Sequence, residues 1–161
     1  KNYPHKHLLG IEGLLPDSIN YLINLSKKYA NYLEDNNHKL DDLKNKTCIN
    51  LFFENSTRTR ISFELAQKRL SADSVNFSAS SSSLKKGESF KDTVQNIMSM
   101  KIDAVVMRHP APGSPKHLTD FTDAVVVNAG DGTHEHPTQA ILDMMSLKEK
   151  FGYLTGNQIF L

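Results

Sequence analysis

Two periodicities take turns along this chain, and that alternation restricts its fold more than any other feature. The runs "TCINLFF" (47–53), "DAVVMR" (103–108) and "AVVVN" (124–128) are too short for helices and read as strands. "SVNFSA" (74–79) is a weaker strand, and "QIFL" (158–161) opens one more. Between them lie segments whose apolar residues recur three or four apart. Residues 17–34 place Ile19, Leu22, Leu25, Tyr29 and Leu33 on one helical face, with Pro16 and Asp17 at its start. Residues 57–70 are expected to form a helix with Ile61, Leu65 and Ala66 facing inward. Residues 89–100 carry Phe90, Val94, Ile97 and Met98 on one face. Ser89 and Asp92 there have capping-box spacing, with Asp in place of the usual Glu or Gln. A short helix over 114–121 and a longer one over 137–151, with Pro137 at its first position, complete the series. The expected architecture is α/β: a parallel sheet of about four strands with helices on both faces, in three αβα layers.

At 161 residues the chain can bury a core of its own. Its net charge of +1 supplies no general field for nucleic acid or an anionic membrane, so any anion must be bound locally. A nucleic-acid reading would rest on Arg58, Arg60, Lys68 and Arg69; the near-neutral charge and the lack of stacking aromatics count against it. No apolar run approaches the roughly 18 residues of a membrane span, and no signal-peptide pattern opens the sequence. We therefore expect a cytoplasmic location. The lone Cys48 sits in an apolar strand and is expected to be a buried, inert thiol. A first residue other than Met and the strand-like ending "GNQIFL" point to a piece of something longer.

Parallel α/β sheets bind ligands beyond the carboxyl ends of their strands. The unusual loops here each follow a strand: "ENSTRTR", "SSSLKKGES", "RHPAPG" and "NAGDGTHEHPTQ". In the first, a helix starting near Ser56 aims free N–H groups and a partial positive charge at the loop mouth. The hydroxyls of Ser56, Thr57 and Thr59 add donors, and Arg58 adds a charged planar fork suited to phosphate. Arg60 lies about 200° round the helix and is expected to pair with Glu64 instead. An ordinary helix cap with solvated charges would also account for this loop. Arg108 ends a strand on the same edge, stiffened by Pro110 and Pro112. In "HEHPTQ", His136 falls near the N-cap and Gln139 at N3, where both can reach one point above the helix. The dipole should keep His136 neutral, and the pair could polarise a carbonyl. Plain capping is the alternative; a metal site from His134, Glu135 and His136 would have no recognised ligand spacing. The serine run 80–83 alone would read as a flexible linker.

Taken together, the four loops resemble the aspartate carbamoyltransferases, specifically their carbamoyl-phosphate-binding domain. "FFENSTRTRISFE" is similar to the family's phosphate loop and "SSSLKKGES" to its mobile lysine loop; "VVMRHP" and "NAGDGTHEHPTQAILD" follow in order. The opening "HLLGIEGL" fits the family's start. The resemblance implies that Ser56, Thr57, Arg58 and Thr59 hold the phosphate, with Thr59 also near the carbonyl. It implies that Arg108 bridges phosphate and carbonyl oxygens and that His136 and Gln139 bind the carbamoyl group. Ser82 and Lys86 would enter a neighbouring subunit's site in a homotrimer, and a regulatory subunit stays open. Carbamoyl phosphate and L-aspartate are the implied substrates, with no cofactor and no metal. Ornithine carbamoyltransferases share S-T-R-T-R and H-P-x-Q, but "KKGES" and Thr138 favour aspartate. Residues 1–150 would be the carbamoyl-phosphate-binding domain, one half of a two-domain fold. Residues 151–161 would begin the link to an aspartate-binding domain beyond them, without which turnover is not expected. A non-catalytic phosphate-binding module is the rival class.

Overall fold

Strand β1 (Thr47–Phe52) is buried along nearly its whole length, so both of its faces need cover. The computed structural model, which describes residues 3–35, 39–78, 90–154 and 156, supplies that cover with helices on each side. Strands β2 (Asp73–Ser78), β3 (Ala104–His109) and β4 (Val125–Asp131) join β1 in one parallel sheet of order β2-β1-β3-β4. The helices are α1 (Pro16–Asp35), α2 (Thr57–Arg69), α3 (Phe90–Met98), α4 (Ser114–Leu118) and α5 (Pro137–Phe151). The expected three-layer α/β architecture is what the chain adopts.

One sheet face carries Ile49, Leu51, Val105, Met107 and Val126, packed with Val94 and Ile97 of α3 and Leu118 of α4. The other carries Phe52, Val106 and Ala129, with Phe63 of α2 against them. Burying a side chain of this size contributes about 1.5–3 kcal/mol. Helix α5 packs on β4, and α1 lies against α5 with Ile23 fully buried. Ile23, not the expected stripe, is the deepest residue of α1, and Leu33 is exposed. Of the face expected for α3, Val94 and Ile97 are in the core and Met98, partly buried, packs against it; the Phe90 side chain and Ser89 lie outside the described residues, as does the strand expected at 158–161. Cys48 is buried, and burial followed by the charge of Asp103 pushes its thiol pKa up.

The inward face of α2 differs from expectation. Ile61 and Leu65 are 46% and 45% exposed, and Ala66 is exposed too. Phe63 and Gln67 turn inward instead. The reason is Asn50, fully buried in mid-strand on β1. A buried amide must be satisfied. Gln67 Nε2 donates to Asn50 Oδ1 at 2.9 Å, while Asn50 Nδ2 donates to Gln67 Oε1 at 3.1 Å and Asn76 Oδ1 at 3.0 Å. That requirement sets the rotation of α2. Glu64 pairs with Lys68 at 2.5 Å and accepts from Asn76 at 2.8 Å; Arg60, its expected partner, acts on it only as a weaker, more distant charge.

Strand β4 runs three residues past the expected end, through Ala129 and Gly130 to Asp131, after a register irregularity opposite Met107 and His109. An N-terminal strap braces its outer edge. Leu8 N–H donates to Val126 O at 2.9 Å, and Asn128 N–H donates to Leu8 O at 2.8 Å. Among the described residues no helix is long and apolar enough to cross a membrane.

Candidate functional site

The strand order reverses direction between β1 and β3, because the chain goes from β1 outward to β2 and returns to β3 on the other side. Loops leaving two such strands diverge and open a crevice at their carboxyl ends. Two helices begin at this edge. Ser56 is the N-cap of α2 and His136 the N-cap of α5, and neither side chain caps its own helix. Both termini thus present unsatisfied N–H groups and partial positive charge to the edge. The ordinary-cap alternatives for these two loops therefore lack their hydrogen bonds.

A cleft of about 530 Å³ lies between the two helices, lined by Arg58, Thr59, Phe63, His136, Thr138 and Gln139 among others. Arg58 has no ion-pair partner among the described residues. Ser56 and Thr57 border a separate hollow of about 70 Å³ with Glu54 and Arg60. The four residues from Ser56 to Thr59 thus line two hollows, Arg58 and Thr59 the cleft and Ser56 and Thr57 the smaller one.

Arg108, at the end of β3, reaches the same region by way of Gly130. A Cβ built on Gly130 would stand 2.7 Å from Arg108 Nη1 and 3.4 Å from His136 Cδ2. The guanidinium and the imidazole thus flank one glycine, whose φ of +115° also disfavours a side chain. Arg108 Nη1 donates to Ala129 O at 2.9 Å. Its Nε lies 2.5 Å from Glu54 Oε1, an ion-pair contact without hydrogen-bonding angles, so the carboxylate holds the arginine by charge.

The imidazole of His136 is half-buried, and burial together with Arg108 lowers its pKa, against an opposing pull from Asp143. Both effects favour the neutral ring, the same direction as the helix dipole. His134, two residues away, behaves oppositely: its hydrogen bond and charge contact with Asp131 raise its pKa. An NMR titration of the ring nitrogens is expected to separate the two, with His136 titrating below 6.5 and His134 above it. A midpoint for His136 above that of His134 would contradict this electrostatic picture.

The "HEH" triplet points three ways. His134 Nδ1 meets Asp131 Oδ2 at 2.9 Å, and Glu135 accepts the amide N–H of Ile11 at 3.1 Å. His136 Nδ1 lies 3.4 Å from Thr138 Oγ1. Among the described residues no group of three or more His, Cys, Asp or Glu side chains is placed to hold a metal ion. Gln139 occupies N3 as expected, but its Nε2 donates to Asp143 Oδ1 at 2.9 Å. Ser82 and Lys86 lie outside the described residues.

Three carboxylates of the site were not foreseen. Glu54 holds Arg108 and Asp143 holds Gln139. Asp131 is buried and ties the loops together, accepting from Gly113 N at 2.8 Å, Glu135 N at 2.8 Å and Asn128 Nδ2 at 3.0 Å. The Gln139–Asp143 spacing of four helical residues was a readable signal. Glu54 and Asp131 had only their positions at strand ends.

Comparison with known proteins decides the family. Residues 6–149 match the model for "Aspartate/ornithine carbamoyltransferase, carbamoyl-P binding domain". The chain belongs to this carbamoyltransferase family. It is 54% identical over 153 residues to the aspartate carbamoyltransferase catalytic subunit of Christiangramia forsetii, covering 95% of this chain and 49% of the relative. The same subunit from Cytophaga hutchinsonii is 53% identical over 154 residues, covering 96% and 50%. Among solved structures, aspartate transcarbamoylase from Trypanosoma cruzi in complex with carbamoyl aspartate and phosphate superposes with a TM-score of 0.84 at 33% identity, over 91% of this chain and 47% of that one. The catalytic subunit of M. jannaschii aspartate transcarbamoylase gives a TM-score of 0.82 at 34% identity, covering 92% and 48%. The chain thus spans about half the length of the relatives it matches.

Proposed function

We propose that this chain is the carbamoyl-phosphate-binding half of an aspartate carbamoyltransferase. The whole protein would join the α-amine of L-aspartate to the carbonyl carbon of carbamoyl phosphate, giving N-carbamoyl-L-aspartate and phosphate, an early step of de novo pyrimidine biosynthesis in the cytoplasm. One observation carries the reading: Arg58, Thr59, His136 and Gln139 share a cleft between two uncapped helix N-termini, with Arg108 beside His136.

In this reaction the amine lone pair forms the new C–N bond, the bond from carbon to the bridging oxygen breaks toward phosphate, and the departing phosphate takes up the proton that the amine loses. No redox step or electron sink is required. The demand is for position and for charge stabilisation. Arg108, Thr59 and neutral His136 would oppose negative charge growing on the carbonyl oxygen. Arg58, the α2 terminus and the hydroxyls of Ser56 and Thr57 would receive the departing phosphate. By the resemblance, Ser82 and Lys86 of a neighbouring subunit complete the site, which makes the working unit a homotrimer. The apolar Ile61 and Leu65, exposed on α2, suit burial against another copy. By the same resemblance, residues 1–150 would be the binding unit, and 151–161 would begin the link toward an aspartate-binding domain.

The test supplies full-length protein with carbamoyl phosphate and L-aspartate. Phosphate and N-carbamoyl-L-aspartate should appear in equal amounts, from a species that sediments as a trimer. The 161 residues alone should release none. Turnover with L-ornithine in place of aspartate would move the acceptor, and no release with either amine would reject the proposal.

A further inference from the structure

Gln139 faces the cleft, and its amide has two chemically opposite ends. A carboxylate only accepts hydrogen bonds, so the end that meets Asp143 Oδ1 at 2.9 Å must be the nitrogen. The reversed amide would set Oε1 against a carboxylate oxygen with no hydrogen between them. Oε1 is thereby left to the cleft, with no donor to it among the described residues. The two residues are one helical turn apart on α5, so the contact needs no other element to form it.

We propose that Asp143 is a positioning residue that fixes the polarity of Gln139, making it an acceptor toward the bound ligand. This rests on the carbamoyl-transfer reading. A carbamoyl group offers one feature an acceptor can recognise, its NH2, whereas its carbonyl oxygen needs donors. Gln139 in this polarity therefore selects carbamoyl phosphate over an acyl phosphate lacking N–H. The oxygen of the same group is left to Arg108 and His136. Without Asp143 the amide can turn over and present N–H to the cleft, which removes the selection without removing Gln139.

The probe is acetyl phosphate, which keeps the phosphate and replaces NH2 with methyl. In the full-length protein the ratio of kcat/KM for carbamoyl phosphate over acetyl phosphate is measured with L-aspartate as acceptor. Asp143→Ala should lower this ratio by about threefold to tenfold, the worth of one hydrogen bond. Asp143→Asn keeps an oxygen acceptor but can also donate, and should fall between the two. A structural role would depress both substrates together and leave the ratio unchanged; that outcome, or equal ratios in all three proteins, overturns the proposal alone. Wild-type protein inert toward both acyl phosphates overturns the carbamoyl-transfer reading and this proposal with it.

Discussion

Arg58→Ala in the full-length protein is expected to lose about a hundredfold to a thousandfold in turnover, the effect of deleting one preorganised donor at a site of developing charge. The expectation comes from what Arg58 lacks. Arg108 is held by Glu54 and by a backbone carbonyl, so part of its charge is already answered. Arg58 has no such partner among the described residues, and it lines the cleft on the first turn of α2 beside Thr59. Its full charge is thus available to an anion entering the cleft, on top of the terminal dipole. Arg58→Lys keeps the charge and loses the planar fork, so it should recover only part of the rate. Because the side chain is exposed, folding should be unaffected, and circular dichroism with steady-state kinetics would check both points. Turnover close to wild type in the alanine variant would remove Arg58 from the mechanism.

The largest effect on stability is expected at Asp131. The residue is 1% exposed, and its carboxylate accepts from two backbone amides and the side chain of Asn128. Those donors belong to the β3–α4 loop, the end of β4 and the approach to α5. Asp131→Ala would leave these buried and part-buried donors without that acceptor, at a cost of about 1–3 kcal/mol. Denaturant unfolding at neutral pH would measure it, and a loss under about 1 kcal/mol would show that water replaces the carboxylate readily. The pH dependence has a definite sign. Burial pushes the Asp131 pKa up, but the hydrogen bonds from Asn128, Gly113, His134 and Glu135 outweigh it, and the net direction is below 3.8. The folded state thus favours the charged form. Its contribution is present above 3.8 and fades as pH falls through the lower folded value. The alanine variant should therefore show a flatter stability profile than wild type in that acid range.

The sheet was legible because its strands are short, nearly continuous apolar runs, which few other structures accommodate. The rotation of α2 was not. Apolar residues usually face inward, and Ile61 and Leu65 obeyed the helical period. The face that packs is chosen instead by Asn50, whose buried amide requires Gln67. A pattern of apolar residues cannot register a hydrogen-bonding demand made by another strand. The end of β4 was hidden for a different reason. Gly130 weakens any strand signal, yet it is needed there to let Arg108 and His136 approach. At the site, the donors were readable because each stands where a strand ends or a helix begins, positions with a fixed geometric meaning. The carboxylates that orient them are matched to partners by approach in space. Only Asp143, one helical turn from Gln139, left its relationship in the sequence.

The order of the strands has a mechanical consequence. β1 and β3 are the inner pair, each bonded on both sides, whereas among the described residues no strand pairs with the outer side of β2. Backbone fraying begins where a ladder is one-sided and dies out toward the middle. The two strand tips that launch Glu54 and Arg108 therefore sit where local opening is most costly. Thermal breathing at the rim of the sheet should therefore leave the spacing of Glu54 and Arg108 undisturbed.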